Sequence, residues 1–319
     1  MVLPLINALR RLSVILPGDL RTDRGYNKAM PELPEVETIA RGVNKRVRGD
    51  RIVQAWFARR SQTFKTPSAL QAKGLAGRTI LDAHRTGKHI VLELSAKDHP
   101  TKTRDGQKDA NLAGAPDAQW IVHLGMTGRL LVTAPDAPVA PHTHARLELA
   151  SVRELRFVDP RRFGRLEFRD LHRGGSAFDA PGAEPLAIGA GEFAAIFHNR
   201  RMPIKAALLN QTLLAGVGNI YADESLFQAG IAPRRRTNRL TLAELERLRL
   251  ALRQILEHAI RLGGSSVSDY VDADGERGFF QLEHCVYQRT GEPCRHCKAA
   301  IRRIELAGRG THYCPSCQH

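Results

Sequence analysis

Cysteine is scarce in this chain: five among 319 residues are too few for a disulfide scaffold. No run of 18 or more apolar residues occurs, which excludes a conventional membrane-spanning helix. No segment repeats, so a solenoid or propeller is excluded as well. Carboxylates are in deficit. The 33 Asp and Glu stand against 48 Lys and Arg, a formal charge of +15. Such an excess favours a polyanion, and nucleic acid is the commonest one. Apolar content of 42% and charged content of 25% are those of an ordinary globular protein, and the length suits two domains.

The first 29 residues do not read as a secretory signal. Val2 to Leu9 is short, and Arg10 and Arg11 follow it instead of preceding it. Arg21, Arg24 and Lys28 against Asp19 and Asp23 leave an organellar transit peptide open. Pro34, Glu35 and Glu37 then mark a helix start, with proline in the first turn and carboxylates near the positive end of the dipole, and the helix is expected to reach Val47. Short alternating runs follow at Arg51 to Phe57, His89 to Leu94, Trp120 to Leu124, Arg129 to Thr133, His144 to Leu149, Glu154 to Val158 and Arg165 to Phe168. Spaced by Gly, Pro and Asp, they predict an antiparallel sandwich or barrel. Ser95 to Ala118 breaks the pattern with a polar stretch that reads as a mobile surface loop.

From about Gly182 the periodicity is helical. Pro203 can start one helix, and Asn219 to Ala229 forms another. The clearest spans Leu242 to Leu262, with a capping box at Thr241 and Glu244, Leu245, Leu248, Leu252, Ile255 and Ala259 on one face, and Gly263 beyond its end.

Cys294-x2-Cys297 and Cys314-x2-Cys317, 16 residues apart, have metal-ligand spacing. Two such knuckles flanking a short hairpin place four thiolates around one Zn2+, a closed structural site without an open coordination position. Arg295, Lys298, Arg302, Arg303 and Arg309 crowd it, as expected of a zinc hairpin pressed on a phosphate backbone. Cys285 is left over and reads as a buried thiol.

Several segments in register resemble the formamidopyrimidine-DNA glycosylase family. They are Met30-Pro31-Glu32-Leu33-Pro34-Glu35-Val36-Glu37-Thr38, Thr86-Gly87-Lys88, His123-Leu124-Gly125-Met126-Thr127-Gly128, Asp159-Pro160-Arg161-Arg162-Phe163-Gly164, Gly216-Val217-Gly218-Asn219-Ile220-Tyr221-Ala222 and Gly308-Arg309-Gly310-Thr311. The resemblance covers residues 30 to 319 and implies an α+β fold. Residues 30 to 168 would form a catalytic β-sandwich domain with flanking helices, 169 to 181 a linker, 182 to 284 a helix–two-turns–helix DNA-binding domain, and 285 to 319 a zinc-finger β-hairpin. Residues 1 to 29 would be an extension, either a misassigned start or a removed segment.

The resemblance also implies roles. Pro31, once freed from Met30, would attack C1′ of a damaged nucleotide through its secondary amine and form a Schiff base. An amide nitrogen has no lone pair to offer, so this chemistry requires residues 1 to 30 to be absent. Glu32 would be the general acid, Lys88 a proton donor in β-elimination that also meets a phosphate, and Arg309 the group that assists δ-elimination. Met126, Arg161 and Phe163 would fill the void left by a flipped nucleotide. His144, Arg200, Lys205 and Asn219 match DNA-contact positions, and backbone amides of the Gly216 to Asn219 turn would meet a phosphate. Ser265 to Phe280 would cover the flipped base.

The function implied is excision of 8-oxoguanine and formamidopyrimidines from duplex DNA, followed by strand cleavage at the abasic site, by a monomer in the bacterial cytoplasm. An endonuclease VIII-like activity on oxidised pyrimidines is the nearest alternative. A noncatalytic lesion-binding protein is the reading if residues 1 to 30 are retained.

Overall fold

The computed structural model describes residues 30–59, 62–97, 115–172, 174–267 and 270–319. The extension at residues 1–29 and most of the polar loop expected between Ser95 and Ala118 lie outside them.

Helix α1 (Leu33–Val47) opens the described chain. Pro34 sits in its first turn, and the Glu35 carboxylate accepts the Glu32 N–H at 2.9 Å, satisfying a donor that the first turn leaves free. Leu33, Val36, Ile39, Ala40, Val43 and Val47 recur at helical spacing and are all buried.

Strands β1 (Ile52–Phe57), β2 (Ile80–Thr86), β3 (His89–Leu94), β4 (Ala118–His123), β5 (Arg129–Thr133), β6 (Thr143–Leu149), β7 (Glu154–Val158) and β8 (Arg165–Asp170) make two antiparallel four-stranded sheets. Their orders are β1-β6-β7-β5 and β2-β3-β4-β8. Helix α2 (Ser68–Leu75) packs on β1 and β8. The sandwich closes over one apolar core that contains Trp120, Phe157 and the inward face of α1. Trp120 is fully buried, and its indole N–H donates to Gln71 Oε1 at 3.1 Å.

Helices α3 (Ala190–His198), α4 (Ile204–Leu209), α5 (Asn219–Gln228) and α6 (Leu242–Arg261) enclose a second core. The α6 capping box forms as expected: Thr241 Oγ1 accepts the Glu244 N–H at 3.2 Å and the Glu244 carboxylate accepts the Thr241 N–H at 2.8 Å. Strands β9 (Arg302–Leu306) and β10 (Arg309–Tyr313) form the terminal hairpin, and β10 lies along α5.

The two cores meet at α1. Leu33 packs in the helical core, whereas Val36, Ile39 and Val43 pack in the sandwich. Tyr270 and Ala273, beyond α6, cross back into the sandwich core, and the Ala273 carbonyl accepts the Val132 N–H at 3.1 Å.

Two elements were not expected. Strand β2 has only Ile80 and Ala83 buried, so its sequence carries no alternating signal, and its pairing with β3 sets it. Helix α2 is eight residues long with no side-chain cap, and tertiary packing of Gln71 and Leu75 sustains it.

Replacing Trp120 by Ala should cost about 3–5 kcal/mol, because it opens a cavity between the sheets and leaves Gln71 without its donor. Urea unfolding measures this, and a loss below about 1 kcal/mol would mean that the sheets close without it.

Candidate active site and nucleic-acid interface

Pro31 and Glu32 lie where α1 meets the turn ahead of α5, and both are buried. The Leu33 N–H donates to the Gly216 carbonyl at 3.0 Å and fixes this approach. Glu32 then turns its carboxylate onto the start of α5. Its Oε1 accepts the Ile220 N–H at 3.0 Å and its Oε2 the Tyr221 N–H at 3.4 Å. A Cβ on residue 218 would lie 2.2 Å from the Glu32 carboxyl carbon, so only glycine admits this contact.

The Ile220 and Tyr221 amides lie just beyond the Gly216 to Asn219 turn whose amides are expected to meet a DNA phosphate; within that turn the Gly216 N–H donates to Gln211 Oε1 at 2.9 Å. The anion at the positive end of α5 is Glu32 itself.

Glu35 lies one turn further along α1 and is equally enclosed. Its carboxylate accepts the Tyr221 hydroxyl, the Ser265 N–H at 2.7 Å and the Glu32 N–H at 2.9 Å. In the sequence, Glu35 reads as a generic helix-start acid. What distinguishes it is its tertiary set of donors, which no local signal announces.

Burial governs the electrostatics. Desolvation raises the Glu32 carboxyl to about 7, against the pull of Lys88, and Glu35 adds to the rise. Glu35 is also raised by burial, opposed by its hydrogen bonds. Lys88, half-buried in the turn between β2 and β3, is lowered by desolvation. Glu32 and Glu35 pull it back up and Arg309 pushes it further down. Glu32, Lys88 and Arg309 thus share one field, although they come from α1, the sandwich and the terminal hairpin. Near neutral pH this site can hold a proton on Glu32 and give it away, the requirement for general acid catalysis.

Arg309 is exposed at the start of β10, on a strand tied down from below. The Lys205 ammonium donates to the Gly310 carbonyl at 3.1 Å and to Thr311 Oγ1 at 2.8 Å, and pairs with Asp223 at 2.6 Å. Asp223 also accepts the His312 N–H at 2.8 Å. The Asn219 side-chain amide donates to the same Gly310 carbonyl at 2.9 Å.

Lys205, expected as a DNA contact, corrects that expectation: it is 0% exposed and acts as an internal strut between α4, α5 and the hairpin. A fully desolvated ammonium needs a buried counter-charge, and Asp223 supplies it.

Met126 is half-buried in the turn after β4, while Arg161 and Phe163 are exposed in the turn before β8. The Arg161 guanidinium lies 4.8 Å above the Phe163 ring. Asp159, fully buried, joins the two turns by accepting Thr127 Oγ1–H at 2.6 Å and the Gly164 N–H at 2.7 Å.

His144, the other expected DNA contact in this region, also points inward. It is buried, and its Nε2 lies 3.0 Å from the Asp159 carbonyl. A register shift in β6 between Thr143 and Ala145 breaks the strand alternation and turns it in. His142 is exposed instead, and its carbonyl accepts the Asp159 N–H at 3.0 Å. Arg200 is half-buried ahead of α4, with Arg201 exposed beside it.

The four expected cysteine ligands converge. Their Sγ atoms all lie within 4.8 Å of one another, with Cys297 to Cys314 at 3.4 Å and Cys294 to Cys317 at 3.9 Å. A tetrahedral Zn2+ with bonds of about 2.3 Å needs sulfurs roughly 3.8 Å apart, so the set fits one structural zinc ion. Cys285 stands outside it, half-buried, its thiol pushed up to about 11 by desolvation.

Lys205→Ala should destabilise the fold by about 3–5 kcal/mol, because buried Asp223 loses its ammonium partner and keeps only its contacts to His312. The double replacement Lys205→Met with Asp223→Asn should recover most of that loss in urea unfolding. Unchanged stability with weakened DNA binding would restore the expected contact role.

Residues 30–166 match the formamidopyrimidine-DNA glycosylase N-terminal domain, 181–271 its H2TH domain, and 291–319 the zinc finger found in FPG and IleRS. Over 290 residues the chain is 43% identical to the formamidopyrimidine-DNA glycosylase of Solibacter usitatus, covering 91% of this chain and 99% of the relative. The Corynebacterium glutamicum enzyme of the same name is 41% identical over 298 residues, with 91% and 99% covered. Among solved structures, a Lactococcus lactis FPG variant bound to Fapy-dG-containing DNA superposes with a TM-score of 0.76 at 34% identity, covering 91% of this chain and 100% of that one. The Lactococcus lactis protein with abasic-site DNA gives 0.76, also at 34% identity, covering 90% and 99%. With the sandwich, the four-helix core and the four-cysteine hairpin all accounted for, the chain belongs to the formamidopyrimidine-DNA glycosylase family.

Proposed function

We propose that this chain is a bifunctional DNA glycosylase and AP lyase that removes 8-oxoguanine and formamidopyrimidines from duplex DNA. The observation that carries the reading is Glu32, a carboxyl raised to about 7, adjacent in sequence to Pro31 and within the field of Lys88, on which Arg309 also acts. The names of the relatives and the +15 charge support the substrate class.

The active form begins at Pro31. Relatives matched over 99% of their own length align with about nine-tenths of this chain, and the N-terminal domain match starts at residue 30, which supports this start. The proline nitrogen forms a bond to C1′ as the bond from C1′ to the damaged base breaks, and Glu32 delivers the proton that the sugar or departing base needs. The attacking nitrogen then loses its proton, and its lone pair opens the sugar by breaking the C1′–O4′ bond as O4′ takes up a proton. The iminium so formed draws electrons from C2′, so loss of the C2′ proton expels the 3′ phosphate. Lys88 supplies a proton in this β-elimination, and Arg309 assists the second elimination on the 5′ side. Zn2+ takes no part in these steps: held by Cys294, Cys297, Cys314 and Cys317, it keeps the hairpin folded so that Arg309 is in reach.

Met126, Arg161 and Phe163 would occupy the space vacated by the extruded nucleotide. His142, Arg200, Arg201 and Asn219 are the DNA-facing set, because His144 and Lys205 have no surface to offer. A Lactococcus lactis FPG was also solved with oxidised-pyrimidine DNA, so oxidised pyrimidines are a second substrate class worth assaying.

Borohydride should trap chain beginning at Pro31 on an 8-oxoguanine duplex as a covalent adduct, whereas chain retaining Met30 should shift the duplex in a gel without an adduct. Trapping by the longer chain would remove Pro31 as the nucleophile.

Base excision should follow a bell-shaped pH profile. Glu32 works protonated, so activity falls as pH rises past about 7. A terminal amine works neutral, so activity falls as pH drops below about 8. The maximum lies between the two values. Glu32→Gln should abolish the alkaline limb and slow excision by about 10²–10⁴-fold in single-turnover assays. Retention of that limb in the variant would assign it to another group.

A further inference from the structure

Beyond the catalytic groups and the zinc hairpin, unneutralised positive charge gathers in the segment between α5 and α6. It reads Pro233-Arg234-Arg235-Arg236-Thr237-Asn238-Arg239. Glu244 holds Arg235 through two contacts, at 2.5 and 3.1 Å. Arg234, Arg236 and Arg239 are exposed, and no carboxylate pairs with their guanidinium groups among the described residues.

This segment is not a loose tail. Thr237 is fully buried and opens a 3-10 turn. Its N–H donates to the Met202 carbonyl at 3.0 Å, the Asn238 N–H donates to the Arg200 carbonyl at 2.9 Å, and the Arg235 carbonyl accepts the Ile204 N–H at 2.7 Å. On its other side the Ala232 N–H donates to the His319 carbonyl at 2.9 Å, which ties the segment to the zinc module. The three arginines are thus carried on a rigid ledge that continues the surface of Arg200 and Arg201.

The ledge also connects to the site. The Lys205 N–H reaches the Pro233 carbonyl at 3.4 Å, and the Lys205 side chain holds Gly310, the neighbour of Arg309. A fixed row of guanidinium groups without acids suits phosphodiester oxygens, which they can engage in bidentate fashion.

We infer that Arg234, Arg236 and Arg239 form an accessory DNA-backbone contact, which extends the footprint of the duplex along α4 beyond the damaged nucleotide. This rests on the proposed DNA glycosylase function, but it concerns binding of undamaged duplex and needs no chemistry at Pro31.

The test compares two triple variants of equal charge change on an undamaged 30-base-pair duplex. One is Arg234→Gln, Arg236→Gln and Arg239→Gln. The control is Lys45→Gln, Arg48→Gln and Arg51→Gln, at the far end of α1, about 20 Å along that helix from Pro31. Each phosphate contact contributes about 0.9 to the slope of log affinity against log salt. The ledge variant should lose about 2 to 3 units of slope and roughly tenfold or more in affinity at moderate salt, while the control changes less than about twofold. Equal effects of the two variants, or an unchanged slope in the ledge variant, would overturn the ledge contact. Wild-type trapping on lesion DNA, run alongside, reports on the catalytic reading separately.

Discussion

The site depends on one interaction, the Glu32 carboxylate set against the first amides of α5. It joins the beginning of the sandwich to the helical domain through the residue proposed as the general acid. The helix dipole and two N–H donors favour the charged carboxylate, and desolvation favours the neutral one. Desolvation prevails, which places the group near 7 and not near its ordinary 4.5. The packing demands are strict: Gly218 leaves room for the carboxyl, and Gly216, at φ +87°, turns its carbonyl toward the Leu33 N–H.

Around that contact the chain arranges buried charges in unlike ways. Glu35 is enclosed and surrounded by donors, so it braces Tyr221, Ser265 and the Glu32 backbone. Lys205 and Asp223 neutralise each other and carry the hairpin. Among the described residues Lys88 has no hydrogen-bonded partner of that kind. It answers to Glu32, Glu35 and Arg309 through space and through its own desolvation. Burial displaces the pKa values of Glu35 and Lys205 as well as those of Glu32 and Lys88, so a displaced pKa does not by itself separate the structural charges from the groups proposed for proton transfer.

Much of this was legible in the residues. The Cys-x2-Cys knuckles, the Thr241 to Glu244 cap and the strand runs from β3 to β8 are local patterns, and each formed where its pattern lay. The reading lost accuracy wherever a residue's environment came from far along the chain. His144 matches a DNA-contact position by resemblance, but the register shift in β6 between Thr143 and Ala145 turned it inward. Lys205 likewise matches a DNA-contact position by resemblance, but Asp223 and Thr311, on other elements, enclose it. Strand β2 and helix α2 have weak local signals and exist because β3, β1 and β8 pair or pack with them. Glu35, in plain view at a helix start, could not be told from Glu37 without its contacts to Tyr221 and Ser265.

The central claim is that burial against α5 keeps a proton on Glu32 at neutral pH. Carbon-13 NMR of selectively labelled glutamate, with the Glu32 resonance assigned by its loss in Glu32→Gln, measures this directly. The account predicts a midpoint at about 7 for that carboxyl. A midpoint near the ordinary 4.5 would contradict it and leave the site without its acid.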